Sequence, residues 1–173
     1  MAIVEIPEGV TVAIEGNRLM VTGPKGSLNR ALGTVRAKLT DGGVEIEARS
    51  KKRTDEAMVG TYVAHLRNMI TGVTEGFVYE LKVVYAHFPI KVSSSSDEKV
   101  VLIHNFLGER KPRTARIMGD ATKVEVHDGT VKVYGIDPEA VGQTAANIET
   151  ATRIKHRDPR VFQDGIYLTR RSW

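Results

Sequence analysis

The chain has 173 residues, 41% hydrophobic and 27% charged, and contains no cysteine. Disulfides, thiolate metal sites and cysteine nucleophiles are thereby excluded, and no apolar run approaches the roughly 18 residues that a membrane-spanning helix needs. Net charge is +4 and unevenly spread: residues 1–81 hold 10 Lys+Arg against 10 Asp+Glu, and residues 82–173 hold 15 against 11.

In chain order, MAIVEIPEGV has no basic leader before a long apolar core, so no secretory signal is expected. VTVAIEGNRLMVTG reads as a hairpin turning at Gly16-Asn17. GPKGS at 23–27 lacks the spacing of a phosphate loop, and a strand follows it where a helix should, so it reads as a turn. RAKLTDGGVEIEA alternates around Asp41-Gly42, a pair suited to a tight turn because both central residues need positive φ. Met58, Tyr62, Leu66, Met69 and Val73 then recur at helical spacing. Asp55 and Glu56 suit the positive end of that helix, and Gly72 is positioned to close it. FVYELKVVY reads as a strand closing this half.

The second half repeats the pattern. IKVSSSSDEKVVLI is a hairpin with serines 93–96 as its solvated tip. TKVEVHDGTVKVY turns at Asp128-Gly129, with Val124, Val126, Val131 and Val133 sharing one buried face. Asp137-Pro138 offers an N-cap oxygen and a proline at the first helical position, and Val141, Ala145, Ile148 and Thr152 follow on one face. RVFQDGIYL closes the half as a strand. Pro7 and Pro89, Gly26 and Gly108, and Gly60 and Gly142 each stand 82 residues apart. A period this long indicates a duplicated domain, not a solenoid. The expected fold is α+β: two tandem duplicated domains, 1–82 and 83–173, each an antiparallel sheet with one helix packed on one face.

Signals for catalysis are missing. The five histidines (65, 87, 104, 127 and 156) show no ligand spacing, and neither a nucleophile-elbow nor a dinucleotide motif occurs. No cofactor, metal or small-molecule substrate is expected. What stands out is positive charge. NFLGERKPRTAR places Arg110, Lys111, Arg113 and Arg116 within seven positions, and the closing stretch adds Arg153, Lys155, Arg157, Arg160, Arg170 and Arg171 against Asp158 and Asp164. Phosphate is the counter-charge such clusters lack, and arginine grips it bidentately. Gly108 permits close backbone approach, and Pro112 stiffens the loop. Phe106 reads equally well as a stacking platform and as a core anchor. Two other functions stay open on the residues alone: a protein-interaction module with an incidental basic face, and a nucleic-acid-processing enzyme.

VTGPKGSL, NFLGERKPR, EAVGQTAANIE and RVFQDGIYLTRR, in that order, resemble the family of the sixth protein of the large ribosomal subunit, in its archaeal and eukaryotic branch. The resemblance implies a structural, non-enzymatic ribosomal protein of the cytoplasm with two similar domains. It implies binding to large-subunit (23S-type) ribosomal RNA, mostly by the second domain, near the translation-factor site with its sarcin–ricin loop and stalk base. Neighbouring ribosomal proteins would be further partners, and no membrane is involved. Carried over by motif, Asn105, Gly108, Arg110, Lys111 and Arg113 become RNA contacts, as do Arg160, Arg170 and Arg171. Arg116, Arg153, Lys155 and Arg157 join them by charge and position.

Overall fold

The computed structural model describes residues 2–40, 43–95 and 98–172. The chain divides into two compact units, Met1–Gly76 and Phe77–Trp173. The first contains β1 (Ala2–Val4), β2 (Thr11–Glu15), β3 (Arg18–Gly23), β4 (Gly26–Ala31), β5 (Val35–Thr40), β6 (Gly43–Ala48) and α1 (Arg53–Thr74). The second contains β7 (Phe77–Val84), β8 (Lys91–Ser95), β9 (Val100–His104), a 3-10 turn (Phe106–Gly108), β10 (Arg113–Arg116), β11 (Lys123–His127), β12 (Thr130–Gly135), α2 (Pro138–Ala151) and β13 (Gly165–Ser172).

Each unit is α+β, with its strands divided between two antiparallel sheets where a single sheet was expected. The orders are β1-β6-β5 and β2-β3-β4 in the first unit, and β11-β12-β7-β13 and β10-β9-β8 in the second. Replacing β1 to β6 by β7 to β12 converts one set into the other, so the duplication is one of topology. Only β13 has no counterpart. It pairs with the edge of β7 that β12 leaves free. β7 therefore opens the second unit as β1 opens the first, instead of closing the first half as its sequence pattern suggested. Most of it lies before residue 83, and both its hydrogen-bonding neighbours are strands of the second unit.

Local chemistry accounts for the turns. Gly16 takes φ +59 between the paired Glu15 and Arg18. Asp128 and Gly129 both take positive φ, as the two-residue turn from β11 to β12 requires. Asp41-Gly42 lies outside the described residues, as does Trp173, although the flanking Thr40 and Gly43 pair. GPKGS is the β3–β4 turn, held to α1 by a hydrogen bond from the Lys25 amide to the Val73 carbonyl at 2.9 Å. The serines differ from expectation. Ser93, Ser94 and Ser95 are strand residues paired with Leu102, Val101 and Val100, and Ser96 falls outside the described residues.

The helices cover the sheets with the expected stripes, slightly rotated in the first unit. In α1, Leu66, Met69 and Val73 are buried, but Val59 takes the buried place and Met58 faces outward. Gly72 is buried within α1, and the helix closes later, where the Gly76 amide bonds the Thr71 carbonyl at 3.0 Å with φ +77. Val141, Ala145 and Ile148 of α2 and its C-cap Thr152 are all buried, and the Asp137 carboxylate accepts from the Glu139 amide at 3.0 Å. Val131 and Val133 are fully buried beneath it, with Val124 and Val126 packed against the same core.

The repeated helical glycines differ in their surroundings. A Cβ added at Gly60 meets nothing within 4 Å, whereas one at Gly142 would touch the Tyr79 ring at 3.7 Å. Gly60→Ala is therefore expected to stabilise the protein by roughly 0.5–1 kcal/mol through helix propensity. Gly142→Leu must push against Tyr79 and is expected to cost about 1–3 kcal/mol by overpacking. Urea denaturation midpoints of the two variants check both signs.

Candidate nucleic-acid interface

The basic loop grows out of a buried strand. Val101 and Ile103 of β9 are fully buried, and the chain leaves β9 through Asn105, Leu107 and Gly108 at φ +59, +50 and +77. A leucine in that region is strained, at a cost of order 1–3 kcal/mol that the surrounding structure must hold in place. Phe106, 1% exposed, is the anchor, which settles its role in favour of the core. The close approach at Gly108 is to the chain's own Phe88: a Cβ there would stand 3.3 Å from that ring. The Asn105 amide donates to the Pro89 carbonyl at 3.1 Å, so the Phe88–Pro89 segment is fastened to the loop.

Arg113 is the central side chain. Its guanidinium lies 4.3 Å above the Phe106 ring. Nε and Nη2 donate to the two carboxylate oxygens of Glu109, at 2.8 and 2.6 Å. Nη1 donates to the carbonyls of Ala151 and Arg153, at 2.9 and 3.2 Å. One side chain thus binds the loop to the C-terminal end of α2, where the helix dipole favours a cation. The Arg113 hydrogen bond holds the Glu109 carboxyl below the usual carboxylate range; partial burial opposes this, and the charges of Arg113 and then Arg157 reinforce it. The two cationic segments therefore meet here. Asn147 adds a second tie, donating to the Arg116 carbonyl at 2.9 Å.

The remaining cations fall into three groups. Arg110, Lys111, Arg116, Arg153 and Lys155 are exposed, with no ion-pair partner among the described residues. Arg157 lies 4.7 Å above the Phe162 ring, and Arg160 is bound to Asp158 at 3.0 Å, lowering that carboxyl. Arg170 and Arg171 stand apart, four and five residues along β13 from Ile166, which amounts to ~14–17 Å of strand. A bulge at Thr169 resets the register so that Arg170 pairs with Glu80 and Arg171 with Tyr79. Arg171 lies over the Tyr79 ring at 5.7 Å, and its neighbour in the strand points to the opposite face.

Sequence reading missed Phe88 and Tyr85, both about half exposed at 46% and 50%. The signal was available for Phe88, an aromatic beside the proline that marks the repeat.

Arg113→Met removes several charge-assisted hydrogen bonds and is expected to destabilise the protein by roughly 1–3 kcal/mol. Because the folded-state pKa of Glu109 is depressed, its pairing stabilises above the ordinary carboxylate pKa of ~4.3 and is lost as pH falls through the lowered value. The gap between parent and Arg113→Met, measured by denaturation, should therefore narrow below about pH 4.

Comparison with known proteins agrees with the architecture. The model of the family described as ribosomal protein L6 matches residues 6–76 and 88–165, one segment per repeat. Proteins described as large ribosomal subunit protein uL6 are 52% identical in Methanobrevibacter smithii (95% of this chain, 92% of that protein) and 51% identical in Methanocella arvoryzae (98% and 96%). The one from Archaeoglobus fulgidus is 51% identical over 98% of this chain and 88% of its own length. With both repeats matched and about half the residues identical over almost all of its length, the chain belongs to the ribosomal protein L6 family, whose members are not enzymes.

Proposed function

We propose that this protein is a structural constituent of the large subunit of the cytoplasmic ribosome and binds large-subunit ribosomal RNA through its second domain. The observation that carries the reading is the junction at Arg113. It joins the loop that carries Arg110 and Lys111 to the segment beyond α2 that carries Arg153 and Lys155, four exposed cations with no ion-pair partner among the described residues. RNA phosphates supply the missing counter-charge, and release of condensed counterions makes the binding salt-dependent. The exposed ring of Phe88 adds a surface on which an unpaired base can stack.

The contact set is the one expected from sequence, with its members given different tasks. Arg110, Lys111, Arg116, Arg153, Lys155 and Arg157 meet phosphate. Asn105, Gly108 and Arg113 shape the loop that presents them. Arg160 meets RNA only by exchanging Asp158 for phosphate, while Arg170 and Arg171 make separate contacts on opposite faces. The location near the translation-factor region, by the sarcin–ricin loop and the stalk base, rests on the family resemblance. So does the assignment of RNA to the second domain, expected over residues 83–173; the first domain, expected over residues 1–82, is electrically neutral and suits a contact surface for protein.

Reversing Arg110 and Lys111 to glutamate leaves the Arg113 network alone, so the fold should persist. A triple reversal including Arg113 would set three acids around Glu109 and forfeit the helix-end bonds, and it is no test of binding. Filter binding to large-subunit ribosomal RNA is expected to weaken by about 100-fold at physiological salt, with the slope of log K against log salt falling by roughly 1.5 for two lost contacts. An unchanged dissociation constant in a variant with the parent's melting curve refutes the interface.

A further inference from the structure

We infer that the outer edge of β1, in the first domain, is a docking site for an extended segment of another protein chain, added antiparallel to Ala2–Val4. The second domain contains its own version of that arrangement. Val44 and Ile46 of β6 correspond to Val131 and Val133 of β12 in their hairpins, and their partners on the next strand are Val4 and Ala2 in one domain and Leu81 and Tyr79 in the other. Ile3 therefore corresponds to Glu80, and Glu5 to Lys82. On β7 the far edge at these positions is occupied by β13, whose Leu168 pairs with Leu81 and whose Arg170 pairs with Glu80. On β1 the same edge has no strand partner among the described residues.

The helices agree. Val59 and Leu66 of α1 match Val141 and Ile148 of α2 in sequence offset and in burial. On that offset Ile70 corresponds to Thr152, whose hydroxyl accepts a hydrogen bond from the Ile166 amide of β13 at 3.0 Å. In the first domain Ile70 instead lines an open recess with Ile3, Val4, Glu5, Arg67 and Thr71. The slot filled by β13 in one domain thus has no strand in it among the described residues of the other, and an isoleucine stands there in place of the buried threonine.

Unprotected strand edges invite pairing, and proteins usually guard them with charge. Every other edge strand here carries at least one charged residue: Glu15 in β2, Arg30 in β4, Arg36 and Lys38 in β5, Lys91 in β8, Arg113 and Arg116 in β10, Lys123 and Glu125 in β11, Arg170 and Arg171 in β13. β1 carries none, and its central residue, Ile3, is 55% exposed. The edge also states what it accepts. Residues opposite Ile6 and Val4 must be aliphatic, as Ile166 and Leu168 are opposite Val83 and Leu81. The residue opposite Glu5 should be basic, and the one opposite Ile3 aliphatic, where the second domain pairs Arg170 with Glu80. The occupant is therefore a strand reading aliphatic, basic, aliphatic, aliphatic. The backbone supplies the affinity and the alternate side chains the selectivity.

The test uses the full chain and a synthetic peptide, acetyl-Gly-Ile-Lys-Leu-Val-Ser-amide, with amide hydrogen exchange read at Ile3–Glu5. Peptide at up to about 1 mM should slow exchange there at least tenfold. Ile3→Glu, a change at an exposed position, should abolish the effect, and Ile3→Val should retain it. The inference is overturned if the peptide gives no protection, or if Ile3→Glu protects as well as the parent. It is also overturned if protection arises without peptide and grows with protein concentration, which would make a second copy the occupant, or if ribosomal RNA gives the protection instead.

Discussion

The second domain depends on one guanidinium. Arg113 stands on the ring of the buried Phe106, takes both carboxylate oxygens of Glu109, and reaches the carbonyls of Ala151, the last residue of α2, and of Arg153 just beyond it. Each contact solves a different problem. The ring and the carboxylate hold a loop whose backbone is strained at Asn105 and Leu107. The carbonyl of Ala151 is orphaned by the end of the helix and needs a donor, and that of Arg153 just beyond it shares the same Nη1. Lysine, with a single ammonium and no planar fork, cannot serve all of these partners at once. The outward cations are positioned by a cation that is itself turned inward.

Duplication explains the likeness of the domains. Connectivity is the same through six strands and a helix, so the same faces of β6 and β12 are buried. The second copy departs by shortening its helix, which ends at Ala151 where α1 continues to Thr74, and by returning the chain as β13 along the edge of β7. The segment between α2 and β13 carries Arg153, Lys155, Arg157 and Arg160. Adding one strand therefore closed an edge and brought in a basic segment in the same step. The first copy has no counterpart of β13, and the edge of β1 has no strand partner among the described residues.

What the sequence made legible was chemistry confined to a few neighbouring residues. Asp128-Gly129, Gly16-Asn17 and the Asp137-Pro138 cap each act within a turn, and each takes the conformation its residues dictate. The 82-residue offsets were legible because glycine and proline mark backbone positions that a duplicated chain reuses. The phase of β7 was not, because an alternating strand reads alike whichever neighbour it pairs with; only β12 and β13, dozens of residues later, assign it to the second domain. The swap of Met58 for Val59 is a small rotation of a stripe within its own apolar neighbourhood. Phe106 points inward because the strained turn at 105–108 reverses the direction that continuation of β9 implies.

The charge of the site shows most clearly why composition and function diverge. Counting residues weighs every Lys and Arg of the loop and closing segment alike. Geometry does not, since Arg113 is matched by Glu109 and Arg160 by Asp158, while Arg110, Lys111, Arg153 and Lys155 have no such partner among the described residues. Counterion release responds to cations that can reach phosphate without first breaking an internal bond. A paired arginine contributes only the difference between its phosphate contact and the carboxylate it leaves, and in exposed pairs that difference is small because water already screens both. The charge that these segments could offer a polyanion is thus lower than their formal charge. Arg113 fixes the loop and the helix end that carry the unpaired cations a polyanion would meet.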